Sequence, residues 1–252
     1  MNHDLYLDAS GLRADLAAAA LPADFSALVA AHQAALQALL TPQALADTEV
    51  AWRYRVPELG EGGACSLFGQ LAEQPYDLTG LLGEPGADNQ RLVAEATIIT
   101  RYYRAHSASH WFGVYQSRRK PDGEPVLVKL AYFGAESRAE FPLTEAFAAG
   151  SNNSAVGLSG RARLINDVAA FVAEGGGYYT CDPKVKAEAC LPLFDADRRI
   201  VGILDSEAFD KDFFTGPELA LIVAVAATLS GGRSRGRSEL SAAMLARDAR
   251  HG

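Results

Sequence analysis

The chain has 252 residues, of which 49% are hydrophobic and 21% charged, and a net charge of -8 at pH 7. That length holds one large domain, or a domain of typical size with an extension, and enough apolar residues for a core that needs no staples. The acidic balance excludes a general nucleic-acid binder, and no run of about eighteen apolar residues is present to cross a bilayer.

The opening Met-Asn-His-Asp carries early acids, unlike a secretory signal with its basic start and apolar middle. Three cysteines (Cys65, Cys181 and Cys190) without such a signal read as reduced thiols of a cytoplasmic protein.

Residues 1–88 read as a mostly helical N-terminal extension. Leu12 and Leu16, then Phe25, Leu28, Val29, His32, Leu36 and Leu39, recur at helical spacing. Asp24 and Thr41 are candidate caps beside Pro22 and Pro42. His32 falls among apolar residues and reads as a core or interface histidine. Residues 57–87 read as a glycine-rich loop containing Cys65, a small buried hydrophobe.

A second region, 89–232, has a different pattern. Residues 89–105 form a helix, and strands follow at 111–116 and 126–133, joined by a charged Pro-Asp-Gly turn. A short strand at Phe141-Pro142-Leu143, a helix start or tight loop from Asn153, and a strand at 163–168 come next. Residues 169–179 read as a loop whose Gly175-Gly176-Gly177 would hinge a lid. Strands at 188–195 and 199–206 precede a helix at 217–229, with Thr215-Gly216-Pro217-Glu218 as a capping box. This order predicts an α+β fold, an antiparallel sheet with helices on one side. Residues 233–252 form a polar tail in which Arg233, Arg235 and Arg237 read as a solvated linker.

Five segments bear chemistry in a consistent order: Trp111-Phe112-Gly113-Val114-Tyr115, Asp167-Val168-Ala169-Ala170-Phe171, Cys181-Asp182, Glu188 with Pro192, and Gly202-Ile203-Leu204-Asp205-Ser206-Glu207. Alternation along a strand puts Trp111 and Tyr115 on one face, and Asp205 and Glu207 on one face. Aromatic rings opposite carboxylates suit an ammonium group. Glu188 and Cys190 are likewise two apart. His106 and His110 flank a serine-rich turn and read as surface or capping residues.

These segments resemble a GAF domain, and within that fold the free methionine-(R)-sulfoxide reductase branch. The resemblance covers about residues 90–230. It implies a GAF-like antiparallel sheet flanked by helices and a small amino-acid-like ligand. Trp111, Tyr115, Glu188, Asp205 and Glu207 would bind that ligand, and Cys181 would be the reactive thiol. It implies reduction of free methionine-(R)-sulfoxide with a thioredoxin-like protein as reductant and no bound cofactor or metal.

The chain departs from the family at several positions. The upstream redox cysteine falls at Asn153, a further family cysteine has no counterpart between Gly134 and Gly150, and this chain adds Cys190, a candidate resolving thiol. The alternative is a non-catalytic ligand-binding module. Either would suit a homodimer joined through its helices, with no nucleic acid and no membrane as partner.

Overall fold

The computed structural model describes residues 1–17, 21–61, 66–179 and 182–231. Cys65, Thr180, Cys181 and the arginines of the tail lie outside these residues.

The N-terminal region forms helices α1 (His3–Ser10), α2 (Leu12–Ala17), α3 (Phe25–Leu39) and α4 (Pro42–Asp47). Thr41 caps α4 by accepting from the Ala44 N–H at 3.1 Å, whereas the Asp24 side chain makes no capping bond to α3. The segment read as one loop is more ordered than its glycines implied. Strand β1 (Arg53–Tyr54) lies just before it, and it holds strands β2 (Pro57–Leu59), β3 (Ser66–Leu71) and β4 (Tyr76–Asp77) and helix α5 (Thr79–Leu82). These strands pair only with one another, β1 with β4 and β2 with β3. β1, β2 and β4 are too short to alternate, and β3 buries neither face, so none of them shows a readable period.

After α6 (Ala87–His106) comes the main sheet: β5 (Trp111–Arg119), β6 (Pro125–Phe133), β7 (Glu140–Pro142), β8 (Arg163–Ile165), β9 (Ala187–Phe194) and β10 (Ile200–Ala208). Its six strands run antiparallel in the order β7-β6-β5-β10-β9-β8. The short helices α7 (Glu145–Ala148), α8 (Asn152–Ser159) and α9 (Val168–Ala173) lie between β7 and β9 in the chain, and α10 (Gly216–Leu229) ends the described fold. The α+β expectation holds.

The helices are not confined to one side. Phe112, Val114, Val128, Leu130, Leu191 and Leu204 share a core with α6 and α10. Trp111, Tyr115, Leu127, Cys190 and Ile203 form a second apolar cluster with Val156 of α8 on the opposite face. Every residue of β9 is buried as a result, and a strand covered on both faces reads as a continuous apolar run.

Helix α10 is apolar all round for the same reason. Ten of its residues are buried, because it lies between the sheet and α1 and α3. The N-terminal helices are thus an outer layer of one core. The Tyr6 hydroxyl, fully buried, donates to the Pro192 carbonyl in β9 at 2.9 Å.

Two local expectations are corrected. Residues read as a pure loop contain α9, capped by the Asp167 side chain accepting from the Ala170 N–H at 3.1 Å. The capping box at Thr215 is not formed. Glu218 reaches away and accepts from Ser107 Oγ at 2.7 Å and the Ala108 N–H at 3.0 Å, tying α10 to the end of α6. Among the described residues no helix is long and apolar enough to cross a membrane.

Candidate functional site

Strands β5, β10 and β9 lie side by side, and their register builds the site. Trp111 is opposite Glu207, and Glu207 is opposite Glu188. One step along, Gly113 is opposite Asp205, and Asp205 is opposite Cys190. Side chains two apart share a face, so an indole, three carboxylates and a thiol project from the same side. Five residues expected from sequence (Trp111, Tyr115, Glu188, Asp205 and Glu207) line one cavity, closed by Asn152, Asn153, Phe141 and Tyr179. It measures about 20 Å³, room for roughly one water molecule.

The spacing Trp-x-Gly-x-Tyr has a steric reason. A Cβ at Gly113 would come within 2.4 Å of the Trp111 ring and 3.1 Å of the Tyr115 ring. The glycine lets the indole lie along the strand toward Tyr115, with ring centroids 6.4 Å apart. Trp111 Nε1 donates to the Ala135 carbonyl at 3.0 Å, so the wall is anchored and presents its face.

Oxygens from Glu188, Asp205 and Glu207 all lie within 4.8 Å of one another. Glu188 and Asp205 are 4% and 3% exposed, which leaves almost no water to screen the crowding. Burial, then the Glu188 and Glu207 charges, raise the Asp205 carboxyl well above the usual carboxylate range. Burial, then Glu188 and Asp182, push Glu207 up to about 8, against the pull of Lys129. Burial also raises Glu188, partly offset by the nearby Tyr178 hydroxyl, Asn152 amide and Arg163 guanidinium. The set stores protons unless a cation replaces them.

Asn153, where the motif resemblance leads to the expectation of a cysteine, lies in the first turn of α8. Its Nδ2 donates to Asp205 Oδ2 at 2.9 Å, and its Oδ1 accepts from the Cys190 thiol at 3.6 Å. Burial, then Asp205 and Glu188, raise the Cys190 thiol well above its ordinary value, so it is held protonated. Cys181 lies outside the described residues, so its distance to Cys190 is not defined. Among the described residues, Asp205 Oδ1, an acceptor, is buried without a hydrogen-bond partner, and Asn152 Nδ2, a donor, is buried with no neighbour beyond its approach to Glu188.

Sequence reasoning missed Lys129. It is fully buried, and its Nζ donates to the Ser137 carbonyl at 2.9 Å and Ser137 Oγ at 2.6 Å. The ammonium lies 3.9 Å from the Tyr132 ring centre and 5.6 Å from that of Trp111. A bulge between Val114 and Tyr115 pairs Tyr115 with Lys129 while Gly113 pairs with Tyr132. Both β6 side chains therefore reach the same face although they are three apart. Plain alternation places them on opposite faces, so Lys129 was not legible as a pocket residue.

The segment after α9 is packed shut. A Cβ at Gly176 would meet the Phe171 ring at 2.4 Å, and one at Gly177 would meet the Ala149 carbonyl oxygen at 1.9 Å. Beyond these glycines, Tyr178 lies against Glu188, and the Tyr179 hydroxyl contacts the Ser66 N–H at 2.6 Å and Ser66 Oγ at 2.9 Å. The two histidines bond locally: His106 Nδ1 contacts the Tyr102 carbonyl at 2.8 Å, and His110 Nδ1 accepts from the Phe209 N–H at 3.2 Å. His32 Nδ1 meets the Tyr102 hydroxyl at 2.8 Å.

No family model matches the chain, and no curated protein matches it. Among solved structures, a protein from Burkholderia vietnamiensis assigned as a GAF sensor is 16% identical, with a TM-score of 0.50 over 82% of this chain and 94% of that one. The free methionine-R-sulfoxide reductase from Neisseria meningitidis is 19% identical, with a TM-score of 0.45 over 54% of this chain and 74% of that one. The type II enzyme of the same name from Thermoplasma acidophilum is 16% identical, with a TM-score of 0.46 over 56% and 94%. At these identities the likeness concerns fold alone, and the two reductase overlaps add nothing on activity. The chain has a GAF-like fold, a curled antiparallel sheet flanked by helices with further helical elements at its N-terminus.

Proposed function

We propose that the chain binds a small amino-acid-like molecule through its ammonium group at Glu188, Asp205 and Glu207. The observation that carries this is the meeting of three carboxylates on one sheet face beneath an anchored indole. An ammonium has three N–H donors and no acceptor, which answers three converging carboxylate oxygens, including the unpartnered Asp205 Oδ1. Trp111 adds a π face for the same charge. Asn152 Nδ2, a buried donor beside Glu188, suits the ligand's carboxylate. The cavity of about 20 Å³ is too small for such a molecule, so residues 174–179 swing out on binding and the ammonium replaces the Tyr178 hydroxyl at Glu188.

The reaction we assign to this pocket, on the motif resemblance, is reduction of free methionine-(R)-sulfoxide. The Cys181 thiol attacks the sulfoxide sulfur, the S–O bond breaks, and methionine leaves with the oxygen retained as a Cys181 sulfenic acid. A second thiol, Cys190 in this reading, condenses with it to a disulfide and water, and a thioredoxin-like dithiol reduces the disulfide. The protonated, hydrogen-bonded state of Cys190 favours a second reading, a ligand-binding module without thiol chemistry.

Calorimetric titration with free methionine, its sulfoxides and N-acetylmethionine tests the pocket. We expect the free amino acids to bind, the N-acetyl compound to fail, and Asp205→Asn to lose at least about tenfold in affinity, in line with a charge-assisted hydrogen bond. Equal binding of the acetylated compound refutes the ammonium site. Turnover of methionine-(R)-sulfoxide with a thiol reductant, abolished in Cys181→Ser, supports the reductase. Binding without turnover, unchanged in Cys181→Ala, selects the binding module.

A further inference from the structure

A second concave region lies away from the carboxylates, where the end of α6 crosses the end of β6. Two adjoining cavities of about 750 and 420 Å³ share Arg104, Tyr132 and Phe133 in their walls. Both volumes fall within the range typical of small-molecule sites.

The chemistry of this groove is the reverse of the acidic pocket. Arg101 and Arg104 lie three apart on α6 and so share a face. Neither forms an ion pair among the described residues, and Glu49 is the lone acid in the groove's lining. The Arg104 guanidinium lies 5.9 Å from the centre of the Phe133 ring. The lining of each cavity also includes a residue with a buried hydroxyl, and among the described residues that of Thr100 has no hydrogen-bond partner. Thr100, 6% exposed, lines the smaller one. Ser109, 9% exposed and with its Oγ near the Tyr103 hydroxyl, lines the larger. Buried hydroxyls are normally satisfied, so Thr100 Oγ1 beside two guanidiniums points to a missing acceptor-rich partner, with Ser109 Oγ, close to the Tyr103 hydroxyl, as a second donor.

We propose that this groove binds a small molecule carrying a phosphate on a planar ring. Two guanidiniums and two hydroxyls supply donors for three phosphate oxygens, and the guanidinium fork matches that geometry. Tyr54, Tyr132 and Phe133 supply the aromatic surface for the ring. A monoanionic carboxylate would leave one guanidinium and one hydroxyl unanswered, which is the reason for choosing phosphate.

The site is joined to the acidic pocket through one side chain. Tyr132 lines both cavities, stacks on Trp111 with centroids 6.2 Å apart, and carries the Lys129 ammonium on its face. The proposal stands on its own residues and does not depend on what the acidic pocket binds.

Calorimetry at low salt with phenyl phosphate and benzoate as probes tests it. Phenyl phosphate is expected to bind one-to-one, and at least about tenfold more tightly than benzoate. The Arg101→Gln/Arg104→Gln double variant should weaken it by a further order of magnitude, about tenfold or more. Both arginines are exposed, so this variant should fold, and an unchanged melting temperature checks that it does. Thr100→Val should weaken phenyl phosphate several-fold, and Glu207→Gln should leave it unchanged. Lack of saturation by phenyl phosphate, equal affinity for benzoate, equal affinity in the double variant, or loss in Glu207→Gln would each overturn the proposal.

Discussion

At the scale of single residues, the crowded carboxylates govern how the protein responds to pH. The Glu207 carboxyl is pushed up to about 8 from an ordinary 4.5, and Asp205 moves the same way. The folded state therefore keeps protons that the unfolded chain has already released. Such groups give their full stabilisation below the unfolded value, and it is lost as pH rises through the folded one. The melting temperature of the unliganded protein should thus fall between about pH 4.5 and 8, and Glu207→Gln should flatten that slope. A slope that is the same in the variant would mean that Glu207 titrates normally. Binding an ammonium should release these protons, so heats measured near neutral pH should depend on the buffer's ionisation enthalpy. Gly113→Ala makes a steric prediction at the same scale. The added methyl meets an indole pinned by its bond to Ala135, so a loss of about 1–3 kcal/mol in denaturant unfolding and a shifted tryptophan emission are expected.

At the scale of elements, sequence pattern worked where one physical cause set it. Helix α6, the hairpin of β5 and β6, the β9–β10 pair and α10 were legible because burial on one or both faces imposes a period. The paired positions of Trp111 with Tyr115, and of Asp205 with Glu207, followed from strand alternation. Legibility ended where geometry breaks the period. The β5–β6 bulge brings Lys129 into the pocket against the parity of its neighbour Tyr132. Helix α9 is six residues long and leads into three glycines, so the glycines masked it. Strands β1, β2 and β4 have only two or three residues and cannot alternate, and the six residues of β3 are exposed or half-buried throughout, so burial imposes no period on them. Glu218 looked like a cap, but the longer reach to Ser107 and Ala108 won. Asn153 was legible as a departure from the family, but its bridging of Asp205 to Cys190 was not, because that contact joins α8 to two strands.

At the scale of the whole molecule, the first helices belong to the same core as the sheet. Tyr6, Leu12, Phe25, Val29 and Leu36 are buried with α10 and the back of the sheet, so contacts cross the boundary at residue 88. Deleting residues 1–40 strips an apolar helix of its cover, so the remaining chain should lose its cooperative urea transition and bind a hydrophobic dye. Retention of a sharp transition near the original midpoint would show that the sheet and its helices stand alone. The same closure has a consequence for biosynthesis. Helices α1 and α3 leave the ribosome early, yet α10, their main partner, is made about 180 residues later, roughly 10–40 s at ordinary elongation rates. Nascent chains carry those apolar surfaces without their α10 cover for that interval.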